Sequence, residues 1–159
     1  YTFPETQRFV LSILREIATT FPVDGISLQF NRRLPVVEYE PQLVEGFKAE
    51  FGEDPFDLDE KDPRWLQYRS GVMTQFMRDL RAAMDRVAEE TGRTSRLGVS
   101  CVVTNSRDEN LYYGLDMDTW VKEGLVDTLI PYSSNPNFNS NDPSWEDVGD
   151  AEPPDHMLP

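Results

Sequence analysis

The stretch Val23-Asp24-Gly25-Ile26-Ser27-Leu28-Gln29-Phe30-Asn31 decides the fold. Ile26, Leu28 and Phe30 alternate with Ser27, Gln29 and Asn31, the period of two that a β-strand imposes. The spacing predicts a strand over 24–31, with the apolar set against a covered face and Gln29 and Asn31 pointing the other way. Two further strands are expected. Leu97–Val103 is nearly all apolar or small, as a strand covered on both faces should be, and Val126–Tyr132 is a third apolar run.

Helical patterns fill the gaps. Upstream, Phe9, Val10, Ile13, Leu14 and Ile17 recur at helical spacing, with Thr2 and Glu5 placed as a capping box, Pro4 in the first turn and Pro22 as the stop. Pro41 opens a helix striped by Leu43, Val44, Phe47 and Phe51 and ended by Gly52. Asp62 and Pro63 open a longer one, apolar along Trp65, Leu66, Val72, Met73, Phe76, Met77, Leu80, Met84 and Val87, closed by Gly92. Asp116 caps a short helix carrying Met117, Trp120 and Val121, ended by Gly124.

Strands separated by helices imply right-handed crossovers and a parallel sheet. The expected class is α/β: parallel strands with crossover helices, a partial (β/α)8 TIM-barrel segment. A complete barrel takes about 250 residues, and this chain has 159 and opens without Met, so an excised piece is expected. Two regions follow: residues 1–133 as the partial barrel, and 134–159 as an irregular tail, first Asn- and Pro-rich and then acidic.

Composition narrows the function. With 15 Lys and Arg against 29 Asp and Glu, the net charge of −14 repels phosphate backbones, so no nucleic-acid partner is expected. No apolar run approaches the roughly 20 residues that span a bilayer, so no membrane insertion is expected. The one cysteine, Cys101, excludes an internal disulfide and reads as a buried small hydrophobe. The one histidine, His156, lies in the tail, so a His-based triad or His-rich metal site within the segment is excluded. Asp54, Asp57, Asp59 and Asp62 resemble a calcium loop only loosely, lacking its glycine and closing glutamate; a cap and a charged turn explain them better. No metal and no cofactor is expected. Met73, Met77 and Met84 follow helical spacing and belong to the core, and Asn110-Leu111-Tyr112-Tyr113 reads as loop packing.

In parallel α/β sheets the ligand lies beyond the carboxyl ends of the strands. Here those ends supply Gln29, Asn31, Arg32 and Arg33, then Asn105, then Tyr132 and Ser133. The connection Leu34–Glu40 adds Tyr39 and Glu38. These residues suit a cleft for a polyhydroxylated or anionic ligand: Arg and Asn as donors, Tyr39 and Tyr132 as stacking surfaces, Glu38 as acid or base. The plainer alternative is a solvated connection whose arginines pair with nearby acids.

Three blocks carry a family resemblance: Val23-Asp24-Gly25-Ile26-Ser27-Leu28-Gln29-Phe30, then Trp65-Leu66-Gln67-Tyr68-Arg69, then Trp120-Val121-Lys122-Glu123-Gly124-Leu125-Val126-Asp127 with Ile130-Pro131-Tyr132. In order and rough spacing, over about residues 8–133, they resemble the glycoside-hydrolase-like barrel family of bacteria. The resemblance implies a (β/α)8 barrel of which this segment covers the middle strands, a carbohydrate ligand, and hydrolysis assisted by carboxylates. It also implies a bacterial, exported or periplasmic setting. The family commonly carries a second acid where Gln29 stands. An amide cannot act as acid, base or carboxylate nucleophile at neutral pH, so Glu38 or an acid outside the segment has that role, or the domain binds sugar without cleaving it. A scaffold kept only for protein interaction is the third alternative. Asp24 matches the family's first acid but starts its strand, on the stability side of a barrel. An open piece of barrel should also self-associate through its uncovered sheet.

Overall fold

The computed structural model describes residues 1–31 and 34–132. Its elements run α1 (Pro4–Thr20), β1 (Gly25–Gln29), α2 (Pro41–Phe51), a 3₁₀ turn (Pro55–Asp57), α3 (Pro63–Glu90), β2 (Gly98–Thr104), α4 (Arg107–Tyr112), α5 (Met117–Lys122) and β3 (Thr128–Tyr132). The strands lie in the order β1-β2-β3, both pairs parallel. This is the α/β arrangement expected, a partial barrel segment with crossover helices. Strand ends fall within two residues of the sequence expectation.

Register fixes which side chains share a face. Ile26 pairs with Val99, Leu28 with Cys101 and Cys101 with Leu129. That set faces the helices: Val99 and Cys101 are fully buried, and Ile26 and Phe30 nearly so. The other set, Ser27–Ser100–Thr128 and Gln29–Val102–Ile130, forms the opposite face, on which Ser27, Gln29, Thr128 and Ile130 are exposed.

The long helix α3 is the spine of the core. Trp65, Met73, Phe76, Met77, Leu80, Met84 and Val87 are fully buried along it, each worth roughly 1.5–3 kcal/mol of burial. Asp62 caps it by accepting the Arg64 backbone N–H at 2.9 Å, with Pro63 in the first turn. Because α3 connects the end of β1 to the start of β2, its first turns stand at the carboxyl end of the sheet and its last turns at the amino end. Asp54 caps the 3₁₀ turn through Phe56 N–H, so the acidic run is caps and turns, as its spacing suggested.

The amino end is tightly closed. Gly25 pairs with Gly98, and a Cβ on Gly25 would stand 2.3 Å from the Gly98 carbonyl oxygen, so only glycine fits. The Asp127 carboxylate accepts the Val99 N–H at 2.7 Å and lies 3.3 Å from Arg81 and 3.4 Å from Arg96. Asp127, the last residue of a block that carries the resemblance, therefore ties β2, β3 and α3 together. Asp24 contributes its backbone, accepting Gly98 N–H at 2.9 Å.

Three expectations need correction. The Thr2–Glu5 capping box does not form: α1 starts after Phe3 with no side-chain cap, because Pro4 already fixes the entry and removes a donor. Phe9 and Ile13 do not join the core but stand 65 % and 40 % exposed; α1 buries its Val10, Leu14 and Ile17 side instead. Residues 107–112 are a helix, capped by Ser106 accepting Glu109 N–H at 3.2 Å. At six residues it is too short for hydrophobic period to announce it.

Candidate functional site at the carboxyl end of the sheet

Gln29 ends β1 on the exposed face, beside Val102 and one strand from Ile130. Neighbouring strands lie about 4.8 Å apart. Tyr132, 46 % exposed, ends β3 on the same face one rung higher, paired with Thr104. Asn31 follows two residues after Gln29, partly buried, and its Oδ1 is buried with no hydrogen-bond partner among the described residues. An amide oxygen left so is an acceptor awaiting a donor. Gln29 and Tyr132 thus share the open face.

Asn105 belongs to a different cavity. It lines a cleft of about 460 Å³ with Ser106, Arg107, Leu111, Asp116 and Asp118, between β2 and the starts of α4 and α5. Across α4 lies a second cleft of about 540 Å³, walled by Glu60, Lys61, Leu66, Glu109 and Tyr112. Arg32, Arg33 and Ser133 lie outside the described residues.

The connection after β1 is better fixed than its sequence suggests. Val36 N–H donates to Tyr113 C=O at 3.2 Å, and Val37, fully buried, packs on Gly114, whose φ of +88° admits glycine readily. Glu38 is exposed, and its backbone N–H donates to a Glu40 carboxylate oxygen at 3.0 Å. Tyr39 packs its ring against Phe56 and Trp65, with both centroids at 4.8 Å. It is thereby a wall of the loop, and Phe56 presents the outer surface.

Three residues outside the expected site set build this end, and one of them, Asp116, is the helix cap its sequence position suggested. Arg69 is 4 % exposed, donates Nη2 to the Tyr112 carbonyl, and lies 5.6 Å and 5.9 Å from the Tyr112 and Trp65 rings. Burial lowers the Arg69 pKa, and the phenols of Tyr39 and Tyr112 and the carboxylates of Glu40 and Glu38 act against that. Its signal was legible: Trp65, Arg69 and Met73 recur at i, i+4 and i+8, placing a cation on the apolar stripe. Asn110, fully buried, accepts Thr104 N–H at 3.1 Å and donates to the Thr104 and Ser106 carbonyls at 2.9 and 2.7 Å. Asp116 takes hydrogen bonds from Gln67 and from the Thr119 N–H and hydroxyl. Burial alone would raise the Asp116 pKa; those donors outweigh it and hold the carboxyl below its usual range. A carboxylate so fully engaged is a cap, not a proton donor. The Cys101 thiol, pushed up to about 12 by burial, stays protonated in the core.

Chemically, this end offers amide, phenol and hydroxyl groups on the open face, and in the adjoining connection an exposed carboxylate, Glu38, beside the stacked Tyr39. Such a set can hold a hydroxylated ligand by hydrogen bonds. No curated protein matches the chain. A family model described as glycosyl hydrolase-like 10 matches residues 2–146, spanning every strand and helix of the sheet unit, and the chain belongs to that glycosyl hydrolase-like family.

Proposed function

We propose that the carboxyl end of the sheet binds a carbohydrate chain, with Gln29, Asn31 and Tyr132 as its hydrogen-bonding row. The observation that carries this reading is the shared face. Register puts Gln29 and Tyr132 on one open surface, and Asn31, two residues past Gln29, has a buried acceptor with no partner among the described residues. The family supports a glycoside-hydrolase-like role.

Hydrolysis asks for two carboxyl groups, roughly 5 Å apart in retaining enzymes and roughly 6.5–9.5 Å in inverting ones. The open-face positions of β1, β2 and β3 carry Ser, Gln, Val, Thr, Ile and Tyr and no acid. Glu38 and Glu40 are the acids of the adjoining connection, Glu38 the exposed one, and no open-face position of the described strands offers it a partner carboxyl. Titration of soluble β-linked oligosaccharides should show binding that Gln29→Ala and Tyr132→Ala weaken, with no reducing ends released. Binding unchanged in both variants contradicts the row. Turnover abolished by Glu38→Gln contradicts the non-hydrolytic part and makes Glu38 the acid.

β1 and β3 each pair on one edge only among the described residues, and unpaired parallel edges invite further strands. Light scattering should therefore report self-association that grows with concentration; a monomer throughout contradicts it.

A further inference from the structure

Phe56 is 65 % exposed, yet its ring is held in place. One face stacks on Tyr39, with centroids 4.8 Å apart and planes 22° from parallel. Tyr39 is itself backed by Trp65, which is fully buried. Asp54 pins the backbone beneath by accepting Phe56 N–H at 3.1 Å. Of the other exposed phenylalanines, Phe3, Phe9 and Phe21 lie on or beside α1 without a ring partner among the described residues, while Phe51, 36 % exposed at the end of α2, stacks on Phe47 with centroids 4.5 Å apart. Tyr39 belongs to the connection after β1 and Trp65 to the first turn of α3, so Phe56 stands at the carboxyl end of the sheet.

We infer that the outer face of Phe56 is a stacking platform for a neutral pyranose chain with equatorial hydroxyls, an outlying subsite of the strand-end row. This rests on the carbohydrate reading given above. A gluco-configured pyranose carries its hydroxyls equatorially and its hydrogens axially, so each face is an apolar patch the size of one benzene ring. Its C–H groups are slightly positive and meet the electron-rich ring face. A protein partner would need about 800 Å² per side, far more than a single ring presents. Glu38 and Asp57, the sequence neighbours of Tyr39 and Phe56, are both exposed. They accept hydroxyl hydrogen bonds and repel anionic sugars, which makes the chain a neutral one.

The test is calorimetric titration of cellohexaose and chitohexaose, and of their disaccharides, into the chain and its Phe56→Leu, Phe56→Trp and Gln29→Ala variants. Phe56→Leu should weaken a hexaose roughly three- to tenfold and leave the disaccharide unchanged, while Phe56→Trp keeps wild-type affinity. Gln29→Ala should weaken both lengths. Equal hexaose affinity in wild type and Phe56→Leu overturns the platform and leaves the strand-end row standing if Gln29→Ala still weakens binding. A loss in Phe56→Leu that Phe56→Trp also shows, or one that extends to the disaccharide, marks a packing role and overturns the platform. No binding of any sugar by wild type overturns the row, and the platform with it.

Discussion

The two ends of the sheet are built on opposite principles. At the amino end, Gly25 and Gly98 bring backbones together where no side chain fits, and Asp127 satisfies Val99 N–H while facing Arg81 and Arg96. At the carboxyl end, Gln29 and Tyr132 stand exposed and Asn31 holds a buried acceptor with no partner among the described residues. One end is satisfied and rigid, and the other keeps hydrogen-bonding capacity in reserve. Of the three acids in the recognisable sequence blocks, Asp24 and Asp127 are at the satisfied end and Glu123 is paired with Arg78. Resemblance in this chain is therefore carried largely by groups that hold the sheet together, and it reports the fold more directly than the chemistry.

The largest effect should come from crowding the amino end. Gly25→Val pushes a side chain into the Gly98 carbonyl and should cost about 3 kcal/mol, or prevent folding, as read from urea unfolding. A mild effect would mean that the strands part easily there. Next, Asp127→Ala removes the acceptor of Val99 N–H and one partner of buried Arg81, which keeps Asp85 at 2.7 Å. A loss of about 2 kcal/mol is expected. Asp127→Asn should recover part of it, since an amide oxygen still accepts the Val99 bond.

Acid should act at the other end. Asp62 is held below its usual range by Arg64, Asp54 by Lys48, and Asp116 by Gln67 and Thr119 against the opposing effect of burial. A carboxyl whose folded pKa is depressed stabilises above its unfolded value, near 3.9, and loses that contribution as pH falls through the folded value. All three cap elements at or beside the carboxyl end. Between about pH 4 and pH 2, hydrogen-exchange protection of the capped Arg64, Phe56 and Thr119 amides should therefore fall. Protection that persists to pH 2 would show that the caps are dispensable.

These contrasts explain what the sequence made legible. Period-two alternation put Gln29 on the open face, because a parallel strand has only two faces. Proline and glycine marked the ends of α2, α3 and α5. What period could not supply was the local hydrogen bonding of short elements. The Ser106 hydroxyl and the Asn110 amide bond to backbone a few residues away, and Val36 meets Tyr113 backbone to backbone, so the partners are groups that every sequence possesses. That is why Glu38 read as lying on a loose loop and Asn110 as simple packing. Arg69 was visible on the apolar stripe of α3, but its aromatic neighbours come from three separate segments.

The smallest effect on stability should come from the open face itself. Gln29→Ala and Tyr132→Ala remove exposed side chains and should each leave unfolding free energy within about 0.5 kcal/mol of wild type. A larger loss in either would mean that this face, too, is structural.

The central claim is that the carboxyl end is the binding end. Backbone amide resonances followed during titration with cellohexaose test it most directly. Shifts are expected at Gln29, Asn31 and Tyr132, extending to Phe56, with Gly25, Gly98 and Asp127 unmoved. Shifts confined to the amino end or to the outer face of α1, with the strand ends silent, would contradict it.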